Sequence, residues 1–175
     1  MVLFLVKSMV EHEKPASWWQ RIIQKLSAVS PFSNILAESL HHLDRFVLRV
    51  SGERTTATCL LTGLPVVWVT TIGARSGEQR TTPLLSLQDG ERLVLIATSF
   101  GRSRNPGWYY NIKANPNVNV SFNGCSGTYV AREVTGEERE SYWRQAVSLY
   151  PGYGAYKERA GERLIPVIVL TPEET

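Results

Sequence analysis

Hydrophobic residues recur along the first third of the chain at helical spacing and along the rest at the two-residue spacing of strands. Trp18, Trp19, Ile22, Ile23 and Leu26 form the first helical stripe, with Arg21 and Lys25 beside it and no acidic residue between Pro15 and Val29. Pro31 ends that segment, and Ser33 or Asn34 can cap the next. Leu36, Leu40, Leu43, Val47 and Val50 then mark a second amphipathic helix that stops before Gly52. Residues 53–58 are polar and break the pattern. The chain therefore reads as an N-terminal amphipathic helical segment over residues 1–55 and a separate domain over residues 56–175.

Beyond the break, residues 66–71, 81–88 and 92–99 read as three strands joined by short turns, the second turn at Asp89-Gly90. No helix separates them, which disfavours a parallel nucleotide-binding sheet and predicts an antiparallel meander. Asn105 as cap and Pro106 as first helical residue predict a short helix over residues 107–114, stopped by Asn115-Pro116. Residues 118–122 and 125–133 predict a hairpin around Asn123-Gly124. Thr135 with Glu138 fits a capping box that opens a helix ending near residue 149. Three tyrosines, Tyr150, Tyr153 and Tyr156, follow in a glycine-bearing segment, and residues 163–171 read as the last strand, with Pro166 at an edge or a bulge. Six or so antiparallel strands with few helices are best closed into a small barrel, with ligands at its edge, often across a dimer seam.

Composition narrows the class without changing that outline. Of 175 residues, 43% are hydrophobic and 20% charged, which fits a folded domain with an appendage and excludes a disordered chain. The 19 Lys and Arg against 16 Asp and Glu suit an anionic membrane or a polyanionic small molecule. No consecutive basic run exists, so nucleic acid is the weakest partner class. The apolar residues 1–6 are too short to span a bilayer and lack a cleavage pattern, so the expected location is the cytoplasm. The basic, tryptophan-bearing helix over residues 15–29 reads either as a peripheral contact with the anionic inner face of the cell membrane or as a helix packed on its own domain or a partner subunit. Cys59 and Cys125 are isolated and read as buried thiols, with a bridge as the alternative. His12, His41 and His42 lack metal-ligand spacing, and no metal is expected.

Candidate chemistry concentrates between Thr70 and Leu85. An apolar strand enters a turn with Gly73 and Gly77, the guanidinium groups of Arg75 and Arg80, and the hydroxyls of Thr70, Thr71, Ser76, Thr81 and Thr82. Glycines let the backbone N–H groups approach an anion, and arginines fork onto its oxygens. A solvated hairpin turn has the same composition. A second such place is the basic loop Phe100-Gly101-Arg102-Ser103-Arg104 beside the expected helix start. Trp108, Tyr109 and Tyr153 offer planar surfaces for a ring system. There is no Gly-x-Ser-x-Gly elbow, no His in the second half, and no Walker or dinucleotide fingerprint. The chemistry is therefore expected to come from a bound cofactor.

Together these residues resemble the deazaflavin-dependent nitroreductase and quinone reductase family. The resemblance rests on Thr70-Thr71-Ile72-Gly73-Ala74-Arg75-Ser76-Gly77, on Arg80-Thr81-Thr82-Pro83-Leu84-Leu85 and on Asn105-Pro106-Gly107-Trp108-Tyr109-Tyr110-Asn111-Ile112-Lys113-Ala114-Asn115-Pro116. Thr135-Gly136-Glu137-Glu138-Arg139 and Tyr150-Pro151-Gly152-Tyr153 extend it across roughly residues 66–170 in consistent order.

The resemblance implies a split β-barrel, an FMN-binding-like α+β fold, binding the reduced 5-deazaflavin coenzyme F420 in preference to FMN. In the family that cofactor carries a phosphate and an oligoglutamate tail. By the same resemblance, Ala74, Arg75 and Ser76 with Arg80, Thr81, Thr82, Pro83, Leu84 and Leu85 would hold the phosphate and tail. Ile96, Ala97, Thr98 and Ser99 would lie along the deazaflavin, with Gly107, Trp108, Tyr109, Tyr110 and Asn111 at the helix start and Tyr153 closing over the ring. The implied activity is hydride transfer to an electron-poor acceptor, a quinone, an enone or a nitro compound, with Tyr153, Tyr156 and Thr98 as candidate catalytic hydroxyls. Packing at a barrel rim is the other reading of the tyrosines, and a non-catalytic carrier of F420, a flavin or a tetrapyrrole is the other reading of the whole. Ala74 stands where many relatives carry a second basic residue, which weakens tail binding or moves it toward Arg102 and Arg104. Ser99 and Phe100 replace residues that are often basic or small, which alters the acceptor side.

Overall fold

The computed structural model describes residues 66–122, 124–150 and 152–173. Both expected N-terminal helices, the boundary at residue 55, the stretch 15–29, Cys59 and Asn123 lie outside the described residues. Six strands form one closed antiparallel barrel in the order β1-β2-β3-β6-β5-β4. They are β1 (Val66–Ile72), β2 (Gln79–Asp89), β3 (Arg92–Ile96), β4 (Asn117–Phe122), β5 (Cys125–Val134) and β6 (Val167–Pro172). Among the described residues three α-helices accompany the barrel, α1 (Gly107–Ala114), α2 (Gly136–Leu149) and α3 (Gly152–Ala160). The expected barrel with α elements is the observed one.

Side-chain alternation decides which face each strand turns inward. Val118, Val120 and Phe122 of β4 are buried while Asn117 and Asn119 between them are exposed, the pattern of a strand with one wet face. Strands β3 and β6 each hold an unbroken buried apolar run, Leu93-Val94-Leu95-Ile96 and Val167-Ile168-Val169-Leu170, because both of their faces are covered there. Leu93, Leu95, Ile168 and Leu170 join Val67, Val69 and Tyr129 inside the barrel. Val94, Ile96, Val167 and Val169 point outward under Tyr142, Trp143 and Ala146 of α2 and Tyr153 and Tyr156 of α3. Each large side chain so buried contributes about 1.5–3 kcal/mol of transfer free energy, so α2 and α3 are held by side-chain burial more than by their own propensity.

Strand β2 changes partner along its length. Val66 to Ile72 of β1 lie opposite residues 79–85, and β3 begins pairing only at Ser86. Pro83 lies opposite Trp68, in the half where only one edge of β2 is paired, so its missing N–H interrupts no second ladder. The β2–β3 loop is Gly90-Glu91 between the paired Asp89 and Arg92, one residue later than expected, and Gly90 takes the positive φ of 59°. The β4–β5 hairpin falls where expected, with Phe122 paired to Cys125 and Gly124 at a positive φ of 78°.

Three local expectations are corrected. The residue flanking the start of α1 is Pro106, with no side-chain cap, because Asn105 is engaged elsewhere, as described below. Thr135 does sit at the start of α2, but its side chain makes no capping bond, and Glu138 instead pairs with both terminal nitrogens of Arg132 at 3.0 and 2.8 Å. Pro166 precedes β6 instead of lying within it, and its carbonyl accepts the Ala97 N–H at 2.9 Å. The segment after Tyr150 is helical, and α3 packs its tyrosines onto the outer core.

Candidate functional site

The turn between β1 and β2 folds on itself. Gly73 N–H donates to Glu78 O and Gly77 N–H to Gly73 O, both at 2.8 Å. Glycine suits position 73, since a Cβ there would lie 2.5 Å from Ser76 Oγ and 3.2 Å from Glu78 O, and Gly77 supplies a φ of 70°. Ser76 Oγ accepts the Glu78 N–H at 3.3 Å and one Arg80 Nη2–H at 3.5 Å. Thr70 and Thr81 share a 2.8 Å hydroxyl contact across the ladder, and Thr71, buried, donates to Arg80 O. Of the five hydroxyls expected to serve an anion, Thr70, Thr71, Ser76 and Thr81 are thus engaged in building the turn. What the turn leaves open is Arg75, exposed and without an ion pair among the described residues, and the exposed Arg80, whose nearest carboxylate is Glu78 at 4.0 Å. Between exposed groups such a contact contributes little.

Asn111 joins this turn to α1. Its Oδ1 accepts the Ala74 N–H at 3.0 Å and its Nδ2 donates to Thr71 Oγ1 at 3.0 Å. Helix α1 enters the barrel mouth with Trp108 and Ile112 buried in the inner core. Trp108 was expected to offer a face to a ring system. Its burial in the barrel removes it from that role and makes it the anchor of α1. Tyr109 is half-buried, its hydroxyl donates to Glu133 at 3.1 Å, and Lys113 meets the same Glu133 oxygen at 3.0 Å. Burial first, and the Glu133 bond second, push the Tyr109 phenol up, while Glu133 pushes the Lys113 ammonium up. Tyr110 is half exposed, and Gly107 is exposed with no atom within 4 Å of where a Cβ would stand.

The segment after β3 carries the least ordinary backbone in the described residues. Ser99, Phe100 and Gly101 are successive left-handed residues, with φ of 49°, 56° and 79°, closed by Gly101 N–H to Thr98 O at 3.0 Å and Arg102 N–H to Ser99 O at 3.1 Å. Ile96 and Ala97 are buried, so they present backbone only, whereas Thr98 and Ser99 are half-buried. Phe100 is exposed and meets Tyr156 edge-on at 5.9 Å. Arg163, from the loop before β6, ties this segment to the start of α1. It donates from Nε to Arg102 O at 2.9 Å, from Nη1 to Ala97 O at 3.3 Å and Asn105 Oδ1 at 2.5 Å, and from Nη2 to Thr98 O at 2.6 Å. Desolvation pulls its pKa below the usual guanidinium value. Sequence reading missed Arg163, because a lone arginine entering a strand carries no local signal of carbonyl partners about sixty residues away.

Tyr153 and Tyr156, expected as proton donors, are buried at 5% and 6% exposure among Tyr150, Trp143 and one another. Tyr156 and Tyr150 share a hydroxyl contact at 3.4 Å, and burial raises both the Tyr153 and Tyr156 phenols. They stand as packing of the outer core, with Tyr156 against Phe100. Thr82, Pro83, Leu84 and Leu85 are half-buried along β2, with Leu84 against the inner core.

The donor set fits a ligand with an anionic tail and a flat, less polar head. Arg75, Arg80, Arg102 and Arg104 are exposed, α1 begins without a side-chain cap, and Gly107 leaves room at its start. A family profile described as F420H(2)-dependent quinone reductase matches residues 39–172. An F420H(2)-dependent quinone reductase of Mycobacterium tuberculosis is 33% identical over 110 residues, 61% of this chain and 73% of that protein. A solved structure described as an F420-H2 dependent reductase is 40% identical, with a TM-score of 0.56 over 61% of this chain and 93% of that one. Another, described as a domain-swapped dimer, is 34% identical, with a TM-score of 0.57 over 81% and 99%.

Proposed function

The chain belongs to the F420H(2)-dependent quinone reductase family, and on that premise we propose that it reduces quinones and related electron-poor enones and nitro compounds. It is an F420-dependent oxidoreductase. The observation that carries the site assignment is the Asn111 bridge, which fixes the arginine-bearing β1–β2 turn against the start of α1.

On this reading Arg75 and Arg80, with the free N–H groups where α1 begins, bind the phosphate and carboxylates of the cofactor. Pro83, Leu84 and Leu85 keep water from the less polar part of the site. The bound, reduced deazaflavin supplies the hydride. Thr98 and Ser99, half-buried after β3, would use their hydroxyls to stabilise negative charge developing on the acceptor oxygen. Tyr156, protonated at neutral pH like Tyr153, supports Phe100 by its edge-on ring contact. Arg102 and Arg104 extend the cationic surface and stand in for the basic residue absent at Ala74.

The test is to mix the purified chain with reduced F420 and menadione and follow oxidation by absorbance. Acceptor-dependent turnover is expected. Tight cofactor binding with no turnover across quinones, enones and nitro compounds would replace the enzyme reading with that of a carrier. The neighbour described as a domain-swapped dimer supports a homodimer, which light scattering checks. Among the described residues no helix is long and apolar enough to cross a membrane. The proposed location is the cytoplasm, with peripheral membrane contact through residues 15–29 tested by sedimentation with anionic liposomes.

A further inference from the structure

We propose that Arg163 is a positioning residue for acceptor reduction, holding the left-handed Ser99–Gly101 turn so that Phe100 stands at the rim of the site as a platform for a planar acceptor. The inference rests on the reductase reading above.

Three observations converge on it. First, the turn is strained. Left-handed φ values suit glycine, and here a serine and a bulky aromatic residue adopt them in succession. Such backbone persists only where its surroundings over-determine it, and it collects at functional sites.

Second, the surroundings of the turn over-determine it. Arg163 spends its guanidinium on four acceptors, three of them carbonyls flanking the turn at Ala97, Thr98 and Arg102. No carboxylate pairs with it among the described residues. A partly desolvated cation held by carbonyls alone is poorly compensated, so charge balance does not explain its presence there, whereas its planar fork matches several acceptors at once. From the other side the turn is wedged against α3, where a Cβ on Gly101 would lie 2.7 Å from Arg159 Cβ and 2.8 Å from Tyr156 O.

Third, the strain produces an exposed aromatic ring. Phe100 is 44% exposed although it lies between the buried Gly101 and the half-buried Ser99, and its edge contact with Tyr156 fixes its tilt. A relaxed turn would let the ring fold onto the outer core. Held outward on a segment that also carries the half-buried Thr98 and Ser99, it offers a flat apolar face close in the chain to hydroxyl side chains, which suits a quinone ring with its carbonyl oxygens.

The experiment uses the full chain as wild type, Arg163→Ala, Arg163→Lys, Asn105→Ala and Phe100→Ala. In the ligand-free proteins, tryptic cleavage after Arg102 and Arg104 is followed by mass spectrometry, alongside the thermal midpoint. Cofactor Kd is read by fluorescence titration, and kcat and KM are measured for menadione and for the smaller benzoquinone. Arg163→Ala should cleave faster at Arg102 and Arg104 and lose about 10- to 100-fold in kcat/KM for menadione at temperatures where it is fully folded. Lysine should not restore activity, and added guanidinium should restore part of it. Phe100→Ala should raise KM for menadione more than for benzoquinone while leaving cofactor Kd unchanged. Should Arg163→Ala fail to fold, Asn105→Ala, which removes one of the four acceptors, should show the same changes in smaller degree. Cleavage and kcat/KM equal to wild type in the folded Arg163 variants would overturn the proposal, as would full rescue by lysine. If wild type itself turns over no quinone, the reductase reading fails, while the ligand-free cleavage rates still decide whether Arg163 holds the turn.

Discussion

The side-chain carbonyl of Asn111 accepts the Ala74 N–H at 3.0 Å, thirty-seven residues away, so the start of α1 and the β1–β2 turn are held as one unit. The same carboxamide donates to the buried Thr71 hydroxyl. Asn111→Ala leaves both groups short of a partner and should cost about 1–3 kcal/mol in denaturant unfolding. By loosening the turn it should also raise cofactor Kd about tenfold, the equivalent of about 1.4 kcal/mol. A variant that unfolds earlier yet binds cofactor like wild type would show that the bridge is structural only.

Arg75 offers a cleaner test of the anion site. Exposed and unpaired among the described residues, it contributes nothing visible to folding. Arg75→Ala should keep the thermal midpoint and weaken cofactor binding by about 1.5–3 kcal/mol, the range of a charge-assisted hydrogen bond. Isothermal titration at rising salt should narrow the gap between variant and wild type, as screening weakens the same interaction. Equal affinity at low salt would move the tail to Arg102 and Arg104.

Gly107 separates ligand approach from folding. A Cβ there meets no atom within 4 Å, and alanine suits a helix better than glycine by about 0.5–1 kcal/mol. Gly107→Ala should therefore fold as well as wild type or better. Its cofactor affinity should fall if the ligand runs over the start of α1. Unchanged affinity in a fluorescence titration would place the ligand elsewhere.

Tyr129 sits inside the barrel at 0% exposure with no hydrogen-bond partner for its hydroxyl among the described residues. Burial, and secondarily the Glu91 carboxylate, push its phenol up to about 12 from an ordinary 10.0. Below pH 10 the phenol is neutral in both states and stability is unaffected. Between pH 10 and about 12 the unfolded chain ionises first, so stability falls by up to about 1.36 kcal/mol per pH unit for this proton. Tyr153 and Tyr156 shift in the same direction and add to the loss. Tyr129→Phe should unfold later than wild type at pH 7, by about 1 kcal/mol, because it removes an unsatisfied buried hydroxyl. It should also show a shallower decline in thermal midpoint from pH 10 upward. A variant less stable at pH 7 would mean that the hydroxyl has a partner, such as a buried water.

The alternation of Val118, Val120 and Phe122 and the apolar runs at residues 93–96 and 167–170 were enough, from the sequence alone, to mark these segments as strands. The glycines at 73, 90 and 124 marked the turns, and the arginines of the β1–β2 turn were legible as an exposed cationic feature. These features are local, since period, turn chemistry and charge are properties of neighbouring residues. Capping was read less well. Asn105 and Glu138 had the composition of caps, but Arg163 and Arg132 made stronger, charge-assisted claims on them.

Only the tertiary structure decided which aromatic residues are open to a ligand. Trp108, Tyr153 and Tyr156 look as available as Phe100 in the sequence, yet barrel closure buries the first and the packing of α3 buries the other two. Only the fold brought Arg163 onto the Thr98 carbonyl, sixty-five residues away. Contacts of that separation form when the chain closes on itself and leave no periodic trace. The sequence by itself determined a barrel with an arginine-bearing turn, and the closed structure chose which side chains hold the site together and which face outward from it.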